Sequence, residues 1–262
     1  MKYFVFFILF VSVMLQPQSV FSQNELFQKK SFIIGADTLP YRILYPDNFD
    51  TAQHYPLILF LHGSDESGND NQSQLKHGGK LFSSPETRAH YPAIVIFPQC
   101  PTQSFWASAD FPEDNSGYQS MVFNPFGEPT LGVKLLMGLV DQLTEEQFVD
   151  KKCIYIGGLS LGGMGTFELL HRRPDIFAAA FPICGGGNTS SVDNYALKVK
   201  IWAFHGAKDD VVPPVLSIQM VDAINKAGGD AKLTIYPEAN HGVWDNVFAE
   251  PELLKWLFSV KK

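Results

Sequence analysis

The stretch Cys153-Ile154-Tyr155-Ile156-Gly157-Gly158-Leu159-Ser160-Leu161-Gly162-Gly163-Met164-Gly165-Thr166 decides the fold. Its first four residues are apolar and suit a strand buried on both faces. Glycines then crowd around one serine, and a helical pattern follows over residues 164–172. Gly-x-Ser-x-Gly between strand and helix is the sequence of a sharp, strained turn that lifts the serine hydroxyl above the end of a sheet. Side chains at Gly158 and Gly162 would run into the neighbouring strand and helix, which accounts for the glycines. The helix aims its N-terminus at Ser160, where free N–H groups and the dipole favour developing negative charge. Alone, such a pattern arises by chance in roughly one chain of this length in ten, so the remaining sequence has to support it.

Outward from this stretch, continuous apolar runs predict buried strands at residues 57–61, 93–97, 153–156, 178–183, 201–204 and 233–236. Two earlier strands, 32–34 and 41–45, are joined by the turn-forming Gly35-Ala36-Asp37. Helical periodicity occupies 131–148, 164–172, 215–227 and 250–258. Strands alternating with helices mean an α/β fold, a mainly parallel sheet with helices on both faces. No Pro/Ser-rich linker divides the chain, so residues 23–262 read as one domain.

Residues 1–22 read differently. Lys2 precedes an almost unbroken apolar run from Tyr3 to Leu15, and Val20-Phe21-Ser22 offers a cleavage site before Gln23. This is the pattern of a secretory signal peptide, and the run falls short of the ~20 apolar residues that a membrane span needs. A secreted or periplasmic protein with no span after cleavage is the expectation. Of the 262 residues 45% are hydrophobic and 18% charged, which suits a sizeable core. The net charge of -7 argues against a nucleic-acid partner, which calls for a clustered basic surface.

Two further segments supply partners for Ser160. The strand ending at Phe204 leads into His205-Gly206-Ala207-Lys208-Asp209-Asp210, and the last strand leads into Pro237-Glu238-Ala239-Asn240-His241-Gly242. Serine, then acid, then histidine along the chain is the order of a nucleophile, an orienting carboxylate and a general base. Asp209 is preferred to Asp210 because it lies nearer the strand end. His241 would take the Ser160 proton, and Asp209 would hold the imidazole in the useful tautomer. An oxyanion hole needs two backbone donors. Leu161, directly after the serine, and Ser64, in the His62-Gly63-Ser64 segment after residues 57–61, fill that role. Trp244, three residues past His241, and Trp106, in the irregular stretch 101–129, are candidate substrate-binding residues. His62 and His205 are expected to pin loop backbone, His171 to end a helix, and His54, His77 and His90 to be solvated. No metal-ligand spacing occurs, so neither metal nor cofactor is expected.

Taken together, Leu61-His62-Gly63-Ser64, Phe97-Pro98-Gln99-Cys100-Pro101, Gly158 to Thr166, Pro182-Ile183-Cys184-Gly185-Gly186-Gly187 and His205 to Asp209 resemble the bacterial carboxylesterase and predicted-peptidase branch of the α/β-hydrolases. That branch neighbours the prolyl oligopeptidase catalytic domain and the feruloyl and acetyl-xylan esterases. The resemblance runs from about Phe32 onward. It implies the triad Ser160, Asp209 and His241, and ester more than peptide hydrolysis, since no propeller domain precedes the catalytic part. The substrate implied is a small-molecule or polysaccharide ester. Where the family commonly shows Gly-Glu-Arg-Gly, this chain has Asp65-Glu66-Ser67-Gly68, and Glu66 lacks the arginine that would pair with it.

Cys100, Cys153 and Cys184 are expected as free thiols. In the usual strand order Cys100 and Cys184 follow strands about 14 Å apart, beyond the ~7 Å that bridged Cα atoms tolerate. Two other functions stay open on these residues: a serine peptidase of the prolyl oligopeptidase type, and a non-catalytic glycan-binding protein using Trp106 and Trp244 as a stacking platform.

Overall fold

Successive residues of the apolar runs face opposite sides of the sheet, and both sides are filled. In the strand Tyr55–Leu61 (β3), Leu57, Leu59 and Leu61 join one core while Ile58 and Phe60 join the other. Ile94–Pro98 (β4) divides in the same way, with Ile94 and Ile96 opposite Val95 and Phe97. Each such side chain, fully withdrawn from water, contributes roughly 1.5–3 kcal/mol, so the central strands tie both layers to the sheet. The computed structural model describes residues 23–110 and 121–262. The expected signal peptide lies outside the described residues, as do Phe111, Glu113, Asp114 and Tyr118.

The remaining strands are Gln28–Ile34 (β1), Asp37–Leu44 (β2), Val149–Leu159 (β7), Ala179–Ile183 (β8), Lys200–Gly206 (β9) and Asp230–Tyr236 (β10). With β3 and β4 they form one sheet in the order β1-β2-β4-β3-β7-β8-β9-β10. β1 and β2 make a hairpin around Gly35, whose φ of +62° suits glycine, and β2 runs antiparallel to β4. From β4 to β10 all pairs are parallel. A separate short pair, Ala109–Asp110 (β5) with Val122–Phe123 (β6), belongs to the irregular stretch.

One face is covered by the helices Leu131–Thr144 (α3), Leu161–Arg172 (α4) and Pro214–Lys226 (α5), through residues such as Leu136, Phe167 and Met220. The other carries Gly79–Ser83 (α1), Trp244–Phe248 (α6) and Glu252–Ser259 (α7), through Phe82, Val247 and Leu257. Pro85–His90 (α2) follows α1, and Ser84 caps it by accepting from the Thr87 N–H at 3.1 Å.

Two expectations need correction. α3 stops at Thr144 rather than 148, because Phe148 leaves the helix to pack edge-on against Phe49, with centroids 5.2 Å apart, while its carbonyl accepts from the Tyr55 N–H. β10 is not buried: it is an edge strand, half-exposed along its length. Its outer face is covered in part by a cation–π contact, Lys232 Nζ standing 3.0 Å from the Trp202 ring centroid.

Candidate active site

β7 ends at Leu159 and α4 begins at Leu161, so Ser160 alone makes the turn. It does so at φ +54° and ψ −118°, a conformation that L residues avoid. The neighbours that hold it there are backbone. A methyl group on Gly162 would stand 2.1 Å from the Leu61 carbonyl oxygen, and one on Gly158 would stand 2.4 Å from the Gly162 carbonyl oxygen. The Ser160 N–H donates to the Ile183 carbonyl at 2.8 Å, pinning the turn to β8.

Eighty-one residues later in the chain, His241 places Nε2 3.0 Å from Ser160 Oγ. Its Nδ1 lies 2.9 Å from Asp209 Oδ2. The carboxylate can only accept, so Nδ1 carries the proton and Nε2 is bare toward the serine hydroxyl. The loops bearing these two residues are laced together. Ala207 N–H donates to the Tyr236 carbonyl and Lys208 N–H to the Ala239 carbonyl, at 3.0 and 2.9 Å. Gly206 lets them approach, since a methyl group there would meet the Asn240 carbonyl oxygen at 2.4 Å.

Asp209 is held more tightly than a lone triad contact would achieve. Oδ1 accepts from the N–H groups of Val211 and Val212 at 3.0 and 2.9 Å, and His205 Nε2 lies 3.1 Å from Oδ2. Burial alone would raise this carboxyl, but the hydrogen bonds from His205, His241 and Val212 outweigh it and hold it well below the usual carboxylate range. Asp210, beside it, is exposed. His205 also reaches Ser217 Oγ at 2.7 Å and the Val212 carbonyl at 2.9 Å. It does pin backbone, as its position before a glycine suggests, and it also touches the acid, which sequence spacing did not indicate.

On the other side of Ser160, the loop after β3 is fixed by His62. Its Nε2 accepts from the Cys100 N–H at 2.9 Å and its Nδ1 faces the Gly63 carbonyl at 2.5 Å. Burial pushes its pKa down to about 4, so the ring is neutral and can accept at one nitrogen while donating at the other. Ser64 follows at the surface, while Leu161 opens α4 with its side chain buried. A cavity of about 370 Å³ opens over Ser160, bordered by Ser64, Glu66, His77, His241 and Trp244. A larger groove, about 690 Å³, lies at the opposite end of β7 around Glu145 and Asp150, remote from the serine.

The Prolyl oligopeptidase family matches residues 186–258. A crystal structure of a thermostable esterase superimposes with a TM-score of 0.80 at 32% identity, over 92% of this chain and 64% of that one. The chain has the α/β-hydrolase fold. A bifunctional acetylxylan esterase/xylanase, XynS20E of Neocallimastix patriciarum, is 29% identical over 67% of this chain but only 22% of its own length. The mouse lysophospholipase-like protein 1 is 26% identical over 73% of this chain and 82% of its own. The likeness is thus to proteins described as esterases and, over residues 186–258, to the Prolyl oligopeptidase family. The chain spans about a fifth of the bifunctional esterase and less than two thirds of the thermostable one.

Within this α/β-hydrolase fold the two tryptophans part company. Trp244 borders the cavity, its ring edge-on to His241 with centroids 5.5 Å apart. Trp106 is fully buried and cannot stack on a substrate. It packs edge-on against His62 at 5.3 Å, in space left by Gly165 of α4, where a methyl group would meet Trp106 Cβ at 2.5 Å. Its segment is drawn inward by Ser104 Oγ, which accepts from the Gly132 N–H, and by the Phe105 carbonyl, which accepts from Thr130 Oγ1.

Two polar expectations also change. His77 is not a solvated loop residue: its ring lies 4.9 Å from that of Trp244, and its Nε2 lies 3.6 Å from Glu66. Glu66 is buried, and Lys76, at 3.1 Å, is the cation that the absent arginine would otherwise supply. All three cysteines are buried and unpaired. Cys184 comes near enough to Asp209 and His241 to suggest a metal trio, the one such group among the described residues. The set suits a metal poorly, because burial raises the Cys184 thiol pKa, while the acid and the imidazole are engaged with one another.

Proposed function

We propose that the chain, as a single catalytic domain over residues 23–262, is an exported carboxylesterase that works through an acyl-enzyme. The observation that carries this reading is the unbroken relay from Ser160 Oγ through His241 to Asp209, at 3.0 and 2.9 Å. Ser160 Oγ attacks the ester carbonyl as its proton passes to His241 Nε2. The N–H groups of Leu161 and Ser64 receive the carbonyl oxygen as it becomes charged, each contributing about 3 kcal/mol to the transition state. The imidazolium then protonates the departing alcohol, and water repeats the sequence to release the acid. Asp209, ionised by its hydrogen bonds, stabilises the imidazolium without taking its proton.

Esters are favoured over amides by the named activities of the thermostable esterase and the acetylxylan esterase/xylanase. Peptide bond cleavage is the second reading, favoured by the Prolyl oligopeptidase family match over residues 186–258. Export rests on the leader-like composition of residues 1–22. A panel of 4-nitrophenyl, feruloyl and acetyl-xylan esters set beside short peptide amides separates the two readings. Turnover of esters with little of amides is expected, falling about 10⁴-fold in kcat for Asp209→Asn and to background for Ser160→Ala. Activity that survives Ser160→Ala contradicts the mechanism.

A further inference from the structure

Glu66 is a buried carboxylate that the triad does not use, and it stands on the wall of the same cavity. It is 3% exposed, so its charge needs a compensating partner. Oε1 takes that role alone, meeting Lys76 Nζ at 3.1 Å and His77 Nε2 at 3.6 Å. Oε2 lies beside Gly63 instead. A methyl group placed on Gly63 would stand 3.3 Å from Glu66 Oε2 and 3.7 Å from Ser160 Cβ, so the carboxylate and the serine flank one and the same glycine. Trp244 borders the same cavity, its ring beside those of His77 and His241.

We infer that Glu66, with Lys76, is the specificity-determining pair of this site, and that it selects an ester flanked by neutral hydroxyls, such as an acylated sugar. The chemistry of the wall narrows the ligand in three ways. A cationic group would compete with Lys76 for a carboxylate already neutralised. An anionic group would meet Asp65 on the cavity wall, with Asp245 near His77. A diol satisfies both members of the pair, its O–H donating to Oε2 and its oxygen accepting from Lys76 Nζ, while the indole of Trp244 offers an apolar face to a sugar ring.

This inference rests on the ester-cleaving reading, and its test separates the two. The quantity to measure is a selectivity ratio: kcat/KM for a monoacetylated methyl xyloside divided by kcat/KM for 4-nitrophenyl acetate, which has no hydroxyl to bind. Because both esters use the same serine, a general disturbance of the site cancels. Glu66→Gln is expected to lower the ratio roughly ten- to a hundred-fold, as loss of a hydrogen bond to a charged group does. Lys76→Met, which removes the cation beside Glu66 from a side chain that is itself exposed, is expected to lower it at least about three-fold. A ratio within two-fold of wild type in both variants overturns the inference while leaving the esterase reading intact. A wild-type protein inactive on both esters overturns both.

Discussion

Ser160 is held in a conformation costing on the order of 1–3 kcal/mol, and backbone oxygens of β3 and α4 leave no room for it to relax. Stored strain of this kind explains why the residues around a nucleophile are legible in sequence: only glycine fits, so the glycines announce the turn. Trp106 carried no such mark. An aromatic in an irregular, acidic stretch reads equally as a platform or as packing, and the answer lay in Gly165, which leaves space for it, and in Gly132, which lets Ser104 and Phe105 close in, both on helices distant in sequence. His77 and Glu66 were missed for a related reason: what makes them a wall is the place of His77 between Glu66 and Trp244, which no local pattern encodes. The two tryptophans should therefore answer to different assays. Trp106→Ala is expected to destabilise the fold by about 3–5 kcal/mol, read by chemical denaturation. Trp244→Ala should leave stability within about 1 kcal/mol and raise KM for the ester. The reverse pattern would exchange their roles.

Among elements, the loop after β3 depends on a histidine that does no proton transfer. His62 accepts from Cys100 beyond β4 and faces the Gly63 carbonyl, and it does so only when neutral. Its folded pKa, about 4, lies below the ordinary 6.5, so between these values the unfolded chain binds more protons than the folded one. The stabilisation is fully present above pH 6.5 and is lost as pH falls toward 4, a difference of roughly 3 kcal/mol. Urea unfolding at pH 7 and pH 4.5 should show that loss in the wild type and a markedly smaller one in His62→Gln. An identical pH dependence in both would remove His62 from the account. The strands were legible because burial on both faces makes them apolar throughout, and β10 was misjudged because an edge strand with a tryptophan-covered face has the same composition. α1, α2 and α6 went unseen because helices of five or six residues are too short to display a period.

At the level of the whole molecule, the parallel sheet brings the C-terminal ends of β3, β7 and β9 to one edge, and with them residues 64, 160 and 209, while the loop after β10 carries residue 241 to the same place. This convergence was the most legible feature of the sequence, because topology fixes which strand ends share an edge and each candidate stands just past one. What the strand ends do not fix is the chemistry of the wall opposite, and that was read only from the packed structure. The most direct test of the central claim is covalent labelling of the intact protein with a fluorophosphonate probe, followed by peptide mapping. One adduct per chain, on Ser160, formed at least a thousand-fold more slowly in His241→Ala, is the predicted result. A chain that stays unlabelled, or that carries the adduct elsewhere while Ser160 is unmodified, would contradict it.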